Sequence, residues 1–390
     1  MTARGRAIEP SGLVVGVVAL IATALFSILV LTQVKWDPTV FIGFGRDEGP
    51  SRAYGEAALG SVMLRPGDGH DGKFFFIQAN DPWLLEPEAN AAVLDRPLYR
   101  SQRMLYPVLA GGLGIFEPGV IAWSLLLVNL IAMGAGTWAV SVIAREMGMS
   151  AWWGLAFLLN VGFLSELAID GAGIVASAAA FVAVALLLQR RFAAGIVFLT
   201  LAALTREAML VCAVGTGFWL WWFGGERKKA VVAVAAPIAA VAVWAVYLRM
   251  RLGWGGDGPQ VLEIGVPFGG FARSISSWLA NPSIDLAAGF AVLILLILFT
   301  RRVLIAKHLV GWAFLGFVVL GVVLTERVWA GYFDITRAVA PVLTSFALLL
   351  FAPAAGLERA MPELSPGLAG NHEDGRGLSP ERFGREVGIP

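Results

Sequence analysis

Residues 12–32 read GLVVGVVALIATALFSILVLT, a run without a single charge. A helix that crosses the hydrocarbon core of a bilayer needs about 20 mainly apolar residues. This stretch therefore fixes the solvent in which the rest of the chain must be read. Arg4 and Arg6 precede it and no small-residue cleavage pattern follows. It reads as a retained anchor, with a signal peptide as the weaker alternative. Further apolar stretches lie at 118–143, 152–167, 171–188, 193–204, 208–223, 230–248, 286–300, 309–324 and 338–352. Together they make about ten candidate spans, several short for a full crossing.

Composition points the same way. Of 390 residues, 58% are apolar and 15% charged, where about 25% charged is usual in a soluble domain. This excludes a water-soluble enzyme and a disordered chain. A formal charge of +1 offers no basic surface for a nucleic-acid backbone. Cys212 is the only cysteine, so neither a disulfide framework nor a multi-cysteine metal site is available. The expected fold is an all-α polytopic membrane protein, a single transmembrane domain over 1–355 without an internal repeat. The segment 356–390 is polar and rich in Gly, Pro and Glu, and reads as a flexible cytoplasmic tail.

Charge between the spans sets the expected orientation. Arg145, Arg190, Arg191, Arg227, Lys228, Lys229, Arg301, Arg302 and Lys307 fall in alternate loops, on the side of Arg4 and Arg6. Short loops rich in Lys and Arg stay cytoplasmic, which puts both termini inside. Arg249, Arg251 and Arg273 run against the rule. The opposite, outer side then collects Asp68, His70, Asp71, Glu166, Asp170, Arg206, Glu207, Glu326, Arg327, Asp334 and Arg337. Any chemistry should face outward.

The outer segment 33–103 is too long for a simple connection, since structureless loops beyond about 12–15 residues are usually functional or disordered. Phe74, Phe75, Phe76, Trp83, Leu84 and Leu85 argue against disorder and for short helices on the membrane surface. A further helix is expected from Arg96, with Pro97 in its first turn. Arg96, Arg100 and Arg103 then share a face at i, i+4 and i+7. Within this segment, residues 69–76 read GHDGKFFF. Glycines bracketing Asp71 let the backbone approach a ligand closely, and the aromatic run suits a membrane interface. The plainer alternative is a glycine turn ahead of an amphipathic helix.

One carboxylate in the first outer loop of a roughly ten-span protein resembles the GT-C superfamily of membrane glycosyltransferases. More narrowly, the chain resembles bacterial membrane proteins of cell-surface glycopolymer formation, which carry a G-x-D-G-Q-F-x-Y-like signature, an Asp-Pro pair and a Y-R-x-Q-R-x-L-Y-P-like stretch. The corresponding residues are GHDGKFFF at 69–76, Asp81-Pro82, and YRSQRMLYP at 99–107. Looser echoes follow in Thr205-Arg206-Glu207 and in Arg337 ahead of Pro341. Lys73 stands where the signature has Gln, and Phe76 where it has Tyr. The resemblance implies an enzyme of a bacterial cytoplasmic membrane with its active site on the extracytoplasmic face. It would move a sugar from a polyprenyl-phosphate donor to a glycan or glycolipid acceptor, with Asp71 catalytic.

On that footing Asp71 is the expected general base, taking the acceptor proton as the hydroxyl attacks the anomeric carbon with inversion. The departing phosphate needs fixed positive charge, for which the guanidinium fork is suited. Arg100, Arg103, Arg206 and Arg337 are the candidates, supported by His70, Lys73, Glu166, Asp170 and Glu207. Each has a plainer role available. Arg96, Arg100 and Arg103 would also suit lipid headgroups. Arg206 would also bridge to Glu207 or Glu166, and Arg337 to Asp334 on one helix face. Glu166 and Asp170 would orient an acceptor or cap two helices. Asp68, His70 and Asp71 offer metal ligands, but a single donor phosphate needs no divalent ion and no D-x-D pattern is present, so a metal-free site is expected. The expected partners are the lipid-linked donor, the acceptor and membrane lipids, with no nucleic acid and no protein partner legible. Two other classes compete. A transporter or flippase would also show broken helices and buried charge, and a non-catalytic assembly protein would keep the fold with a degraded site.

Overall fold

Ser11 starts the first span. Its hydroxyl accepts the Val14 N–H, and an unbroken helix runs Gly12–Gln33. The computed structural model describes residues 11–47, 49–254, 264–280 and 283–358. Arg4, Arg6 and nearly all of the expected tail lie outside them.

Of the described residues 77% are helical, a nearly all-α structure. Among the described residues four helices are long and apolar enough to cross a membrane: Gly12–Gln33, Pro118–Glu146, Arg227–Leu252 and Ile284–Ala306. The pair Tyr332–Ala338 and Ala340–Phe351 makes a fifth if its 62° bend is counted as one broken span. Gly173–Leu188, Phe192–Thr205 and Leu309–Val323 are apolar but shorter. The expected stretch at 152–167 does not form one helix. It divides into Ala151–Gly154, Leu155–Leu158 and Val161–Leu167, because the Asn160 side chain caps the last piece by accepting the Gly162 N–H.

Small residues set the closest approaches between helices. A side chain at Gly16 would meet the Gly134 carbonyl and Trp138, so the first span and Pro118–Glu146 lie nearly backbone to backbone. Pro118–Glu146 in turn packs on Gly173–Leu188, which is almost entirely buried. Outward, Leu13, Val17, Leu25, Leu29, Val243 and Ile297 stay exposed, the surface that a bilayer would cover.

The segment 33–103 is ordered by its own short elements. Thr39–Ile42, Pro50–Leu59, Gly72–Asn80, Pro87–Val93 and Pro97–Ser101 are helical, and Phe44–Gly45 pairs in parallel with Leu64–Arg65. One expectation is corrected here. The motif helix Gly72–Asn80 does not lie on the surface, since every residue from Gly72 to Ala79 is buried. Its rings have protein partners that keep them from the membrane interface: Phe75 meets Tyr106 edge-on, and Phe76 meets Phe44 and Tyr54.

Candidate active site

Gly69 has φ +76°, and a side chain there would collide with the backbone of Gly43 and Gly45. The turn therefore folds tightly against the small parallel pair, where His70 N–H donates to the Gly43 carbonyl. Asp71 follows at the N-cap position of the motif helix, yet makes no capping hydrogen bond. Its carboxylate is directed away from the helix, toward arginines. The glycine turn ahead of a helix, the plainer alternative, is present, and the Asp71 side chain leaves it to meet the arginines.

Three guanidinium groups converge on it. Arg100 Nη1 donates to Asp71 Oδ1 at 2.8 Å. Arg337 Nη2 reaches Oδ2 at 3.5 Å, and Arg103 Nη1 lies 3.9 Å from the same oxygen. Burial pushes the Asp71 carboxyl up, but the charges of Arg100, Arg337 and Arg103 outweigh it and hold it well below the usual carboxylate range. A second carboxylate, Glu166, accepts from Arg337 Nε at 3.0 Å and lies 3.7 Å from Arg206 Nη1. Glu207 lies 3.5 Å from Arg103 Nη2. Asp71, Phe75, Arg103, Glu166, Ala172, Gly173, Arg206 and Arg337 line one cleft.

The helix breaks explain how these charges meet. Glu166 lies at the end of Val161–Leu167, ahead of the turn that leads to Gly173–Leu188. Arg206 is extended (φ −154°, ψ 119°) between Phe192–Thr205 and a short turn at Glu207–Met209. Arg337 ends the first arm of the 62° bend. Irregular backbone at membrane depth is tolerated where it lines a cavity or is buried in protein. Three interrupted helices thus deliver one charge each to a cleft floored by the motif helix.

Of the expected site residues, Asp71, Arg100, Arg103, Arg206, Arg337, Glu166 and Glu207 come together. The others stand around them. His70 stacks at 5.5 Å on Phe333, and burial, aided by the charges of Arg65 and Arg337, pushes its imidazole down to about 4. It is neutral near pH 7. Lys73 Nζ donates to the Asp68 carbonyl and lies 4.7 Å from the Phe74 ring centre, so it closes its own turn. Asp170, with φ +46°, is fully buried beneath the cleft, its Oδ1 3.5 Å from Asn129 Nδ2. The two carboxylates that lie four apart in sequence therefore part company. Glu166 also accepts the Gly173 N–H at 3.1 Å and so caps the following helix, the plainer of its two expected roles.

The arginine helix is also corrected. It spans only Pro97–Ser101, because the Ser101 carbonyl at its end accepts from Trp244 Nε1 at 2.8 Å. Arg103 lies past that end and still reaches Asp71. Arg96 does not join the cluster; it pairs with Asp95 at 3.9 Å and lies over the Tyr99 ring.

Several contributors were not expected from sequence. Asp95 grips Arg100 with both oxygens, at 2.8 Å to Nε and 2.8 Å to Nη2, and Phe74 lies under the same guanidinium at 3.9 Å. Tyr99 OH accepts from Arg103 Nη2 at 2.6 Å. Arg65 donates to the Val40 and Ala168 carbonyls at 2.8 and 2.7 Å, tying the loop before Gly173 to the motif turn. Phe74 and Tyr99 stand inside the two quoted motifs, whereas Asp95 and Arg65 left no such trace. Among the described residues no three His, Cys, Asp or Glu side chains are grouped to hold a metal ion; His70 lies against Phe333 and Asp71 faces the arginines.

Comparison with family models, curated proteins and solved structures finds no match for this chain.

Proposed function

We propose that the protein is a membrane glycosyltransferase of GT-C type, which moves a sugar from a polyprenyl-phosphate donor to a cell-surface glycan or lipid acceptor. One observation carries the reading: a carboxylate that caps nothing stands in a cleft walled by Arg103, Arg206 and Arg337, beside a fourth guanidinium on Arg100. Transfer from a lipid phosphate needs these two functions within one site, a base for the acceptor hydroxyl and fixed cations for the departing phosphate. Guanidinium groups suit the second role because they hold their charge in low dielectric and present paired donors. The phosphate head would sit among these guanidinium groups, and the lipid chain would run outward along the exposed apolar helices. The site would lie on the extracytoplasmic side, as the loop charges imply. Its protein partners, if any, carry no visible signature.

A transporter is the second reading, favoured by the three interrupted helices. Against it stands the place of the key carboxylate, on a buried helix of a long connecting segment, and the lack of a repeat in the sequence. The test is Asp71→Asn in cells. Loss of the surface glycan at unchanged protein level is expected. Persistence of the glycan would remove Asp71 from the chemistry and leave transport or assembly as the role.

A further inference from the structure

Each arginine at the cleft already faces a carboxylate. Asp71, Asp95, Glu166, Glu207 and Asp334 oppose Arg100, Arg103, Arg206 and Arg337. A phosphate cannot simply add to five carboxylates facing four arginines, because its charge would have no unengaged cation to meet. Some carboxylate must give up its partners.

The contacts differ in how firmly they hold. Glu166 is 3% exposed and pinned twice, by Arg337 Nε and by the Gly173 N–H. Asp95 grips Arg100 through two short bonds. Asp71 is 29% exposed, and its contacts to Arg337 and Arg103 are long, at 3.5 and 3.9 Å. Arg103 Nε, moreover, is buried without a hydrogen-bond partner. Two guanidinium arms are therefore spread loosely over one carboxylate, and a donor N–H beside them is unspent.

We propose that Asp71 occupies the phosphate's place in the resting site: the phosphate of the lipid-linked substrate displaces it from Arg103 and Arg337, and only then is Asp71 released to act as base. This rests on the phosphate reading above and adds an order of events to it. Arg100 stays with Asp95 and keeps one bond to Asp71, which holds the carboxylate in line while the other two cations turn to the phosphate. Freed of two positive neighbours, the carboxylate regains basicity in the complex that needs it.

The consequence for binding is opposite to that of an ordinary site residue. Removing the charge at Asp71 removes the competitor, and phosphate binding should tighten. The probe is a short-chain isoprenyl phosphodiester, singly charged across the pH range used, titrated into the full-length protein in detergent. Asp71→Asn is expected to bind it about tenfold more tightly than wild type. Asp71→Ser reports the same quantity without an amide oxygen that could itself occupy the arginines, and Asp71→Glu, which retains the charge, is expected to stay near wild type. Wild-type binding with equal or weaker binding by both neutral variants would overturn the displacement while leaving the phosphate site in place. No binding by any of the four proteins would overturn both.

Discussion

At the residue scale the site depends on a second carboxylate as much as on the first. Arg100 has one guanidinium and two masters, Asp71 through Nη1 and Asp95 through Nε and Nη2. The two bonds to Asp95 fix the plane of the fork, and that plane aims Nη1 at Asp71. A hydrogen bond to a charged group is worth about 1.5–3 kcal/mol. Asp95→Asn should therefore lower sugar transfer by about tenfold to hundredfold at an unchanged level of folded protein. A rate within about twofold of wild type would show that Arg100 needs no such support. Nothing around Asp95 in sequence marks it out, because an Asp beside an Arg is an ordinary surface pair. Asp71 was legible because the glycines and the two later motifs surround it. The closing of Arg337 onto Asp71 spans 266 positions, a juxtaposition that no local pattern encodes.

At the element scale, the motif helix is held by contact of backbone on backbone. Gly72 is buried, and a side chain there would strike the carbonyl oxygens of Ile169 and Ile42. Neither carbonyl sits at the end of a flexible group that could yield, so overpacking of about 1–3 kcal/mol is the expected cost. Gly72→Ala should lower the thermal midpoint and reduce transfer, since the displacement falls one residue from Asp71. Gly119→Ala, placed in a helix with open space around it, should leave both unchanged. Equal behaviour of the two variants would refute the close-packing account. Apolar length placed most of the helices, with 152–167 broken at Asn160, yet the motif helix was misjudged as interfacial. Aromatic runs read alike whether their rings meet lipid or protein, and here Tyr106, Phe44 and Tyr54 decide the matter.

For the whole molecule, polar residues that the loop charges assign to one face do meet in one cleft. Asp71, Arg103, Glu166, Arg206 and Arg337 come from segments far apart in the chain and line it together. The expected topology can be tested by labelling. Cys212 is buried, so single cysteines can be introduced into the natural background. With Glu88→Cys, an impermeant thiol reagent should label intact cells; with Lys228→Cys, labelling should need permeabilised ones. Both positions are exposed. The reverse pattern would turn the site to the cytoplasm. The number of crossings was less legible than the membrane itself, because interrupted helices such as Phe192–Thr205 and Leu210–Trp222 fall below spanning length one at a time. Function is tested most directly by sugar transfer in proteoliposomes holding purified protein and polyprenyl-phosphate donors extracted from host membranes. Wild type should transfer sugar to acceptor, and Asp71→Asn should do so about 10²–10⁴-fold more slowly; transfer by Asp71→Asn at the wild-type rate would contradict the account.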